Sequence, residues 1–562
     1  MRDVWSPEPS MAQGYDAMRA AFRWDLPETF NFGTDVIDRW ARERNGPALI
    51  WENEAGEVHT YSYADLSRLS NKLANVLRSH GVARGDRVIV MLPRLPEWFV
   101  SIIAAMKIGA VPIPCIEMLT ARDIEYRAAN SEAKAVICRS EHVAKFENVE
   151  IPVRIALGKA AGWLDWRAET ERASEAIDAA VVGAEDPAIM YYTSGSTGHP
   201  KAVVHAARAI YAWRVSAIYW LDLRPGEIIW CTADTGWSKA GTSILFGPLS
   251  CGACSFFYDG PFVPQERLRL LRKRNITVYC AAGTELSRVV DEITDRNIGP
   301  LRRVVTAGEA MNPVVAERWE EATGIRVDEA YGQTEALMVT LNYPTEPVRY
   351  GSMGRPSPGS DLDVIDAQGR RLPPGHEGDV ALLLPNPQLM LGYWKDPEKT
   401  EACFISGQDG RWYVTGDRAE KDSDGYLWYR GRSDDVINSA GYRIGPVEVE
   451  NALAEHPAVR VCAVVASPDV ERGEIVKAFV VLRDGVSPSS ELTRGLQDHV
   501  KAVTAPYKYP RAIEYLSELP MTITGKIRRR DLRDREAARA HAGGANPALD
   551  RGRGPLAGSG KL

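Results

Sequence analysis

Short apolar runs that alternate with helix-like segments constrain this chain more than any other feature. Residues 87–93 (Arg-Val-Ile-Val-Met-Leu-Pro) have the length and composition of a buried strand. Pro96 then opens a helical pattern that reaches Ile108, with proline in the first turn, where its missing N–H costs nothing. Residues 111–115 and 133–138 give the next strands, separated by a helical stretch that includes 123–129. Further strand patterns lie at 189–192, 228–232, 276–280 and 304–306. This alternation predicts an α/β fold, a large domain of packed parallel or mixed sheets with helices on both faces. Ligands in such folds bind in loops beyond the carboxyl ends of strands. With 562 residues, the chain is long enough for roughly three or four domain-sized units.

The pattern changes near Arg432. A charged, glycine-containing stretch, 431–435, precedes a compact αβ pattern with a helix over 447–454 and strands over 460–466 and 476–482. The chain therefore divides into a large N-terminal domain, 1–431, and a small α+β domain, 432–536. Residues 537–562, rich in Ala, Gly, Arg and Pro, are expected to form a disordered tail.

Composition removes several function classes. Lys plus Arg is 68 and Asp plus Glu is 75, a net charge of -7, which argues against nucleic acid as the main partner. The basic run 526–533 is interrupted by Asp531 and carries Ile527 and Leu532, so it reads as a terminal helix with a solvated face. No apolar run approaches the about 20 residues of a membrane span, and residues 1–9 lack a secretory pattern. The 8 cysteines are scattered, as expected of thiols in a reducing cytoplasm. Cys251 and Cys254 form the single C-x-x-C, and their apolar neighbours mark a packed strand rather than a redox or zinc site. The 9 histidines show no metal-type spacing.

The most informative segment is residues 191–201, Tyr-Tyr-Thr-Ser-Gly-Ser-Thr-Gly-His-Pro-Lys. A strand ends there and a small-residue loop follows. Gly195 and Gly198 let the backbone turn and approach a ligand closely. Thr193, Ser194, Ser196 and Thr197 offer hydroxyls, and their amides can form an anion-binding nest. Lys201 adds a mobile positive charge suited to phosphate. The spacing is not that of a Walker loop.

Residues 193–201 resemble the signature of adenylate-forming enzymes: acyl-CoA synthetases, carrier-protein adenylation domains and luciferases. Four further segments agree in order: 331–335 (Tyr-Gly-Gln-Thr-Glu), 413–417 (Tyr-Val-Thr-Gly-Asp), 431–435 (Gly-Arg-Ser-Asp-Asp) and 520–526 (Pro-Met-Thr-Ile-Thr-Gly-Lys). Within that superfamily, residues 439–446, 472–477 and 505–510 resemble the AMP-forming medium-chain acyl-CoA synthetases. The resemblance implies a two-step reaction. ATP and a carboxylic acid give an acyl-adenylate and pyrophosphate, and the thiol of coenzyme A then displaces AMP.

It also implies roles. Glu335, assisted by Thr193, is the expected Mg²⁺ ligand. The loop Thr193 to Gly198, Lys201, Gly308, Glu309, Ala310, Glu329, Ala330, Tyr331, Gly332, Gln333 and Thr334 would frame ATP. Asp417, an acceptor only, would take both ribose hydroxyls. Arg432 is a fixed donor fork for ribose or phosphate, and Lys526 would stabilise charge in adenylation. Read by pattern alone, Asp417 is a turn residue, Arg432 a surface ion-pair partner and Lys526 a solvated loop lysine; the register of five motifs moves them into the site. Asp434 resembles the hinge about which the small domain rotates between the two steps. Ala440, Gly441, Tyr442, Arg443, Arg472, Tyr509 and Arg511 would meet coenzyme A. Acetylation of Lys526 by a lysine acetyltransferase would remove its charge.

The acid is the least constrained element. Acetyl-CoA synthetases carry Trp where this chain has Gly332, so the acid is expected to exceed two carbons. Trp237 is a candidate wall of the acyl pocket or a core residue. Residues 281–285 (Ala-Ala-Gly-Thr-Glu) and the Ala336-Leu337 pair depart from the family pattern where acyl choice is made, leaving medium-chain, branched and aromatic acids open. Two other readings stand beside the ligase: an adenylation enzyme that loads a carrier protein, and a nucleotide sensor without turnover.

Overall fold

The computed structural model describes residues 10–193, 200–432, 435, 437–439, 442–469, 472–504, 507–521 and 527–541. Strand Arg87–Met91 lies at the heart of a five-stranded, wholly parallel sheet, flanked by Val111–Cys115 and Ala135–Arg139. Helix Pro96–Lys107 packs between this sheet and the largest one. Every residue of it except Glu97 is buried, and Trp98 packs tilted and Phe99 edge-on against Phe257 of the larger sheet. A helix apolar all round is one covered on all sides. Its last residue, Lys107, is fully buried yet satisfied by Asp38 at 2.6 Å, Asn71 at 2.5 Å and the Ser67 carbonyl at 3.2 Å.

The largest sheet has 14 strands. Its middle, Ile228–Cys231, Val278–Cys280, Arg303–Ala307 and Val327–Gln333, is parallel. Beyond Val327–Gln333 it turns antiparallel through Leu337–Leu341, Ser352–Pro356, Leu427–Arg432 and Gly410–Lys421. A third sheet joins the hairpin Pro187–Thr193 and Lys201–Ala206 to Gly392–Tyr393.

The C-terminal part builds its own core. One cluster runs from Ile437 through Val449, Val464, Val480 and Leu496 to Ile513, with no member from the preceding domain. Helix Arg529–His541 covers its sheet through Leu532 and through Glu536, which accepts from Lys477 at 2.6 Å where both are almost fully buried. This helix runs past the expected start of the tail at 537. Ala and Arg suit a helix as well as a disordered segment, and the buried Glu536 anchors the turn. Residues 542–562 lie outside the described residues. Cys254 lies in strand Cys254–Asp259 and Cys251 in the turn before it; both are buried and free. Among the described residues, no helix is long and apolar enough to cross a membrane.

Candidate active site

The phosphate-loop hairpin is fastened before its loop begins. Thr193 and Lys201 face each other across its strands. Helix Ala121–Ser131, started by a capping box of Thr120 and Asp123, braces the hairpin from outside. The Tyr192 hydroxyl donates to Asn130 Oδ1 at 2.8 Å, Tyr126 Oη to the Pro200 carbonyl at 3.1 Å, and Trp394 Nε1 to the Asn130 carbonyl at 3.0 Å. Ser194, Gly195, Ser196, Thr197 and Gly198 lie outside the described residues.

Strand Val327–Gln333 reverses tightly into Leu337–Leu341, which puts Thr334 and Glu335 at the tip. The Thr334 carbonyl lies 2.7 Å from Nε2 of His205, on the hairpin. Burial holds the His205 pKa down, to about 4, so the ring is neutral, and the carbonyl requires that Nε2 carry the proton. The Glu335 carboxylate accepts from Tyr393 Oη at 2.8 Å, and the Lys201 ammonium sits 4.9 Å from the centre of the same tyrosine ring. Thr193, Lys201 and Glu335 thus share one locality. A carboxylate and a hydroxyl are hard oxygen donors that suit Mg²⁺.

Asp417 is buried on strand Gly410–Lys421, directly across from Arg432. Its Oδ2 accepts from Tyr331 Oη and from Gln333 Nε2, each at 2.6 Å; Oδ1 accepts from Tyr429 Oη at 3.4 Å and lies 3.4 Å from Arg432 Nη1. Burial raises its pKa, opposed by the Arg432 guanidinium and these hydrogen bonds. Gly416, with φ +74°, lets the chain turn immediately before it. Tyr331 and Gln333 belong to the strand that leads into Thr334 and Glu335, so one chain segment runs from the Asp417 carboxylate to the phosphate hairpin, where His205 meets Thr334.

Gly308, at φ +96°, follows the adjacent strand and leads into Glu309 and Ala310. Glu309 accepts from the Thr284 amide at 2.9 Å. Glu329, buried beside the buried Ala330, accepts from the Met311 amide at 3.3 Å through one oxygen, while the other has no partner. Desolvation pushes its pKa up to about 8. An orphaned buried carboxyl oxygen beside this loop suits a polar partner on a bound base.

Gly332 has a second reason to be glycine. A Cβ there would lie 1.7 Å from the Leu337 carbonyl oxygen, and Leu337 itself is left-handed, at φ +53°. A tryptophan at 332 would require the reversal to be rebuilt. Trp237 is half-buried, at the start of the short helix Ser238–Ala240. Lys239, which no motif pointed to, is buried there and donates to the Ala307 carbonyl at 3.0 Å, just before Gly308. Burial disfavours its charge, but Cys280, Cys231, Glu309 and Glu285 raise its pKa overall. A lysine in a small-residue, apolar stretch was the available signal. Tyr393 and His205 were also missed; their roles depend on strand pairing.

In the small domain, Arg511 Nη1 donates to Tyr509 Oη at 3.0 Å, and Lys501 lies 4.3 Å over the Tyr509 ring. Arg472 immediately precedes strand Gly473–Leu482, whose first residue pairs with Ser439, and Ser439 pairs with Tyr442. Asn438 pairs with Arg443. Ala440, Gly441, Asp434 and Lys526 lie outside the described residues, as do the side chains of Tyr442 and Arg443. Among the described residues, the one group with metal-ligand geometry, Glu117, Glu141 and His142, lies elsewhere, with Arg139 2.7 Å from Glu141 and also bonded to Glu117.

Residues 37–394 match the model of the AMP-binding enzyme family and residues 448–526 that of the AMP-binding enzyme C-terminal domain. The chain is 40% identical over 557 residues to the acyl-coenzyme A synthetase ACSM3, mitochondrial, of Homo sapiens, covering 95% of this chain and 94% of that protein. The fold is similar to the anthranilate CoA ligase AuaEII in complex with anthranoyl-AMP (TM-score 0.84, 30% identity, 92% of this chain and 99% of that one). It is also similar to a benzoate CoA ligase from Burkholderia xenovorans LB400 (TM-score 0.81, 29% identity, 90% and 100%).

Proposed function

The chain belongs to the AMP-binding enzyme family, and from that premise we propose that it is an AMP-forming acyl-coenzyme A ligase with ATP, Mg²⁺ and coenzyme A as its reaction partners. The observation that carries this reading is that one chain segment, 331–335, bonds Asp417 through Tyr331 and Gln333 at one end and Tyr393 through Glu335 at the other, with Lys201 resting on the Tyr393 ring. This arrangement presents an acceptor for ribose at one end and groups for metal and phosphate at the other.

In the first step a carboxylate oxygen attacks the α-phosphorus, and the bond to the β-phosphate breaks with its electron pair leaving on pyrophosphate. Asp417 accepts the ribose hydroxyls, with Arg432 beside it. The loop 193–198 and Lys201 hold phosphate oxygens, and residues 308–310 and 329–334 frame the base. Glu335 and Thr193 would hold Mg²⁺, which would offset phosphate charge. Lys526 bridges the carboxylate and the α-phosphate, where charge develops. In the second step the coenzyme A sulfur attacks the acyl carbon, AMP leaves, and the thiol proton passes to solvent.

The small domain, 432–536, acts as a lid that turns about Asp434 between the steps. Its separate core suits motion as a unit. Residues 440–443 with Arg472, Tyr509 and Arg511 form the coenzyme A face. The acid is larger than acetate: medium-chain, branched or aromatic. Gly332 supports this, as do solved relatives named for anthranilate and benzoate. Acetylation of Lys526 by a lysine acetyltransferase switches adenylation off. The 8 free cysteines support a cytoplasmic setting, although the curated relative is named mitochondrial.

The test is incubation with Mg·ATP, coenzyme A and an acid panel, with products identified by mass. The reading requires equal amounts of acyl-CoA and AMP. Formation of ADP, or adenylate that passes only to a carrier protein, contradicts it.

A further inference from the structure

Glu335 stands at the tip of a reversal, beyond the last rung of its strand pair. Its backbone is pinned: the Met390 amide donates to the Glu335 carbonyl at 2.8 Å, and His205 holds the neighbouring Thr334 carbonyl. Among the described residues, no backbone group pins its carboxylate. Among the described residues the one hydrogen bond to it comes from Tyr393 Oη, to Oε1.

We propose that Tyr393 is the positioning residue of this site, fixing Glu335 for the metal with its hydroxyl while parking Lys201 on its ring. The inference rests on the reading of Glu335 as the metal ligand. Three observations carry it. First, the tyrosine is itself immobilised: it is 8% exposed, its amide donates to Thr400 Oγ1 at 2.9 Å, and it pairs with Val203 in the hairpin that carries Lys201. Second, the phenol bonds Oε1 alone, so among the described residues Oε2 is left for a cation. Third, the Lys201 ammonium rests on the ring face at 4.9 Å, an attraction weak enough at a partly solvated site to be given up for phosphate. One rigid ring therefore sets the spacing between a negative group meant for metal and a positive group meant for phosphate, before either ligand arrives. A hydrogen bond from a neutral donor to a charged acceptor is among the stronger kinds, so its loss has a measurable effect on metal binding.

Tyr393→Phe removes the hydroxyl and keeps the ring. The probe is Mn²⁺, read by electron paramagnetic resonance with α,β-methylene ATP, which binds without adenylation. The expected result is about a tenfold weaker Mn²⁺ affinity, equivalent to about 1.4 kcal/mol. KM for Mg·ATP rises in parallel, kcat stays within about twofold, and the unfolding midpoint is unchanged. In a Glu335→Gln background, Tyr393→Phe adds no further loss of Mn²⁺ affinity. Wild-type Mn²⁺ binding by Tyr393→Phe overturns the proposal, and so does an equal loss in both backgrounds. If Glu335→Gln alone binds Mn²⁺ like wild type, the ligand reading fails first and the positioning role falls with it.

Discussion

The two ends of the nucleotide surface are built differently. Around Asp417 everything is in place: the carboxylate is 4% exposed and takes three side-chain hydrogen bonds, with a guanidinium alongside. Around Glu335 little is: among the described residues one hydrogen bond holds the carboxylate, and Lys201 rests on a ring face. The contrast follows from what each end must bind. Ribose offers two neutral donors and needs a fixed acceptor. Phosphate and metal bring large charges, so their residues must be able to exchange partners. Prior order at one end and open valence at the other divide recognition from chemistry.

The largest expected effect is in the chemical step. Lys526→Ala lowers adenylation by about a thousandfold, the size of a lost transition-state donor, while thioester formation from supplied acyl-adenylate continues. Loss of both half-reactions to the same degree would overturn the proposed division of labour between the two steps. The next effect concerns pH. The Glu329 pKa is raised by burial to about 8 from 4.5, so between these values the folded protein holds a proton that the unfolded chain has released. Stability from this group is full below the unfolded pKa and is lost as pH rises through the folded one, at up to about 1.4 kcal/mol per pH unit. Urea unfolding from pH 5.5 to 8 should show this decline in wild type and a flatter one in Glu329→Gln. Parallel curves would mean that Glu329 is ionised in the fold.

Asp417→Asn sharpens the comparison directly. It should raise KM for ATP by about tenfold to a hundredfold and also lower the unfolding midpoint, because Tyr331 and Gln333 lose a charged acceptor. Glu335→Gln should leave the midpoint unchanged. A stability loss of equal size at both would erase the distinction. The smallest effect is in the acid: burial of one more CH₂ is worth about 0.8 kcal/mol, so kcat/KM for neighbouring straight-chain acids should differ by only about fourfold. A sharper cut-off would point to a wall that the chain must reach.

Much of the parallel core is legible because its buried strands are continuous apolar runs: the patterns at 87–93 and 304–306 fall on the strands Arg87–Met91 and Arg303–Ala307. The antiparallel strands Gly410–Lys421 and Leu427–Arg432 carry no strand signal, because glycine and charged residues interrupt them and polar residues such as Thr415 and Asp417 take buried positions, so neither a continuous nor an alternating apolar run appears. Asp417 and Arg432 were therefore reached through resemblance alone. Their mutual register, and the bonds from Tyr331 and Gln333, exist only after the sheet turns antiparallel. Tyr393, His205 and Lys239 share this difficulty: each acts on a backbone or carboxylate group far along the chain, and no spacing encodes that. The helix ending at His541 was hidden by composition, since its Ala and Arg fit a tail equally well.

The most direct test is a crystal structure with a non-hydrolysable acyl-sulfamoyl adenosine. The account predicts the ribose hydroxyls on the Asp417 carboxylate, and the sulfamoyl group between Thr193, Lys201 and the Glu335 tip, within one cleft. A ligand bound elsewhere, or a ribose that leaves Asp417 bonded only to Tyr331, Gln333 and Tyr429, would contradict it.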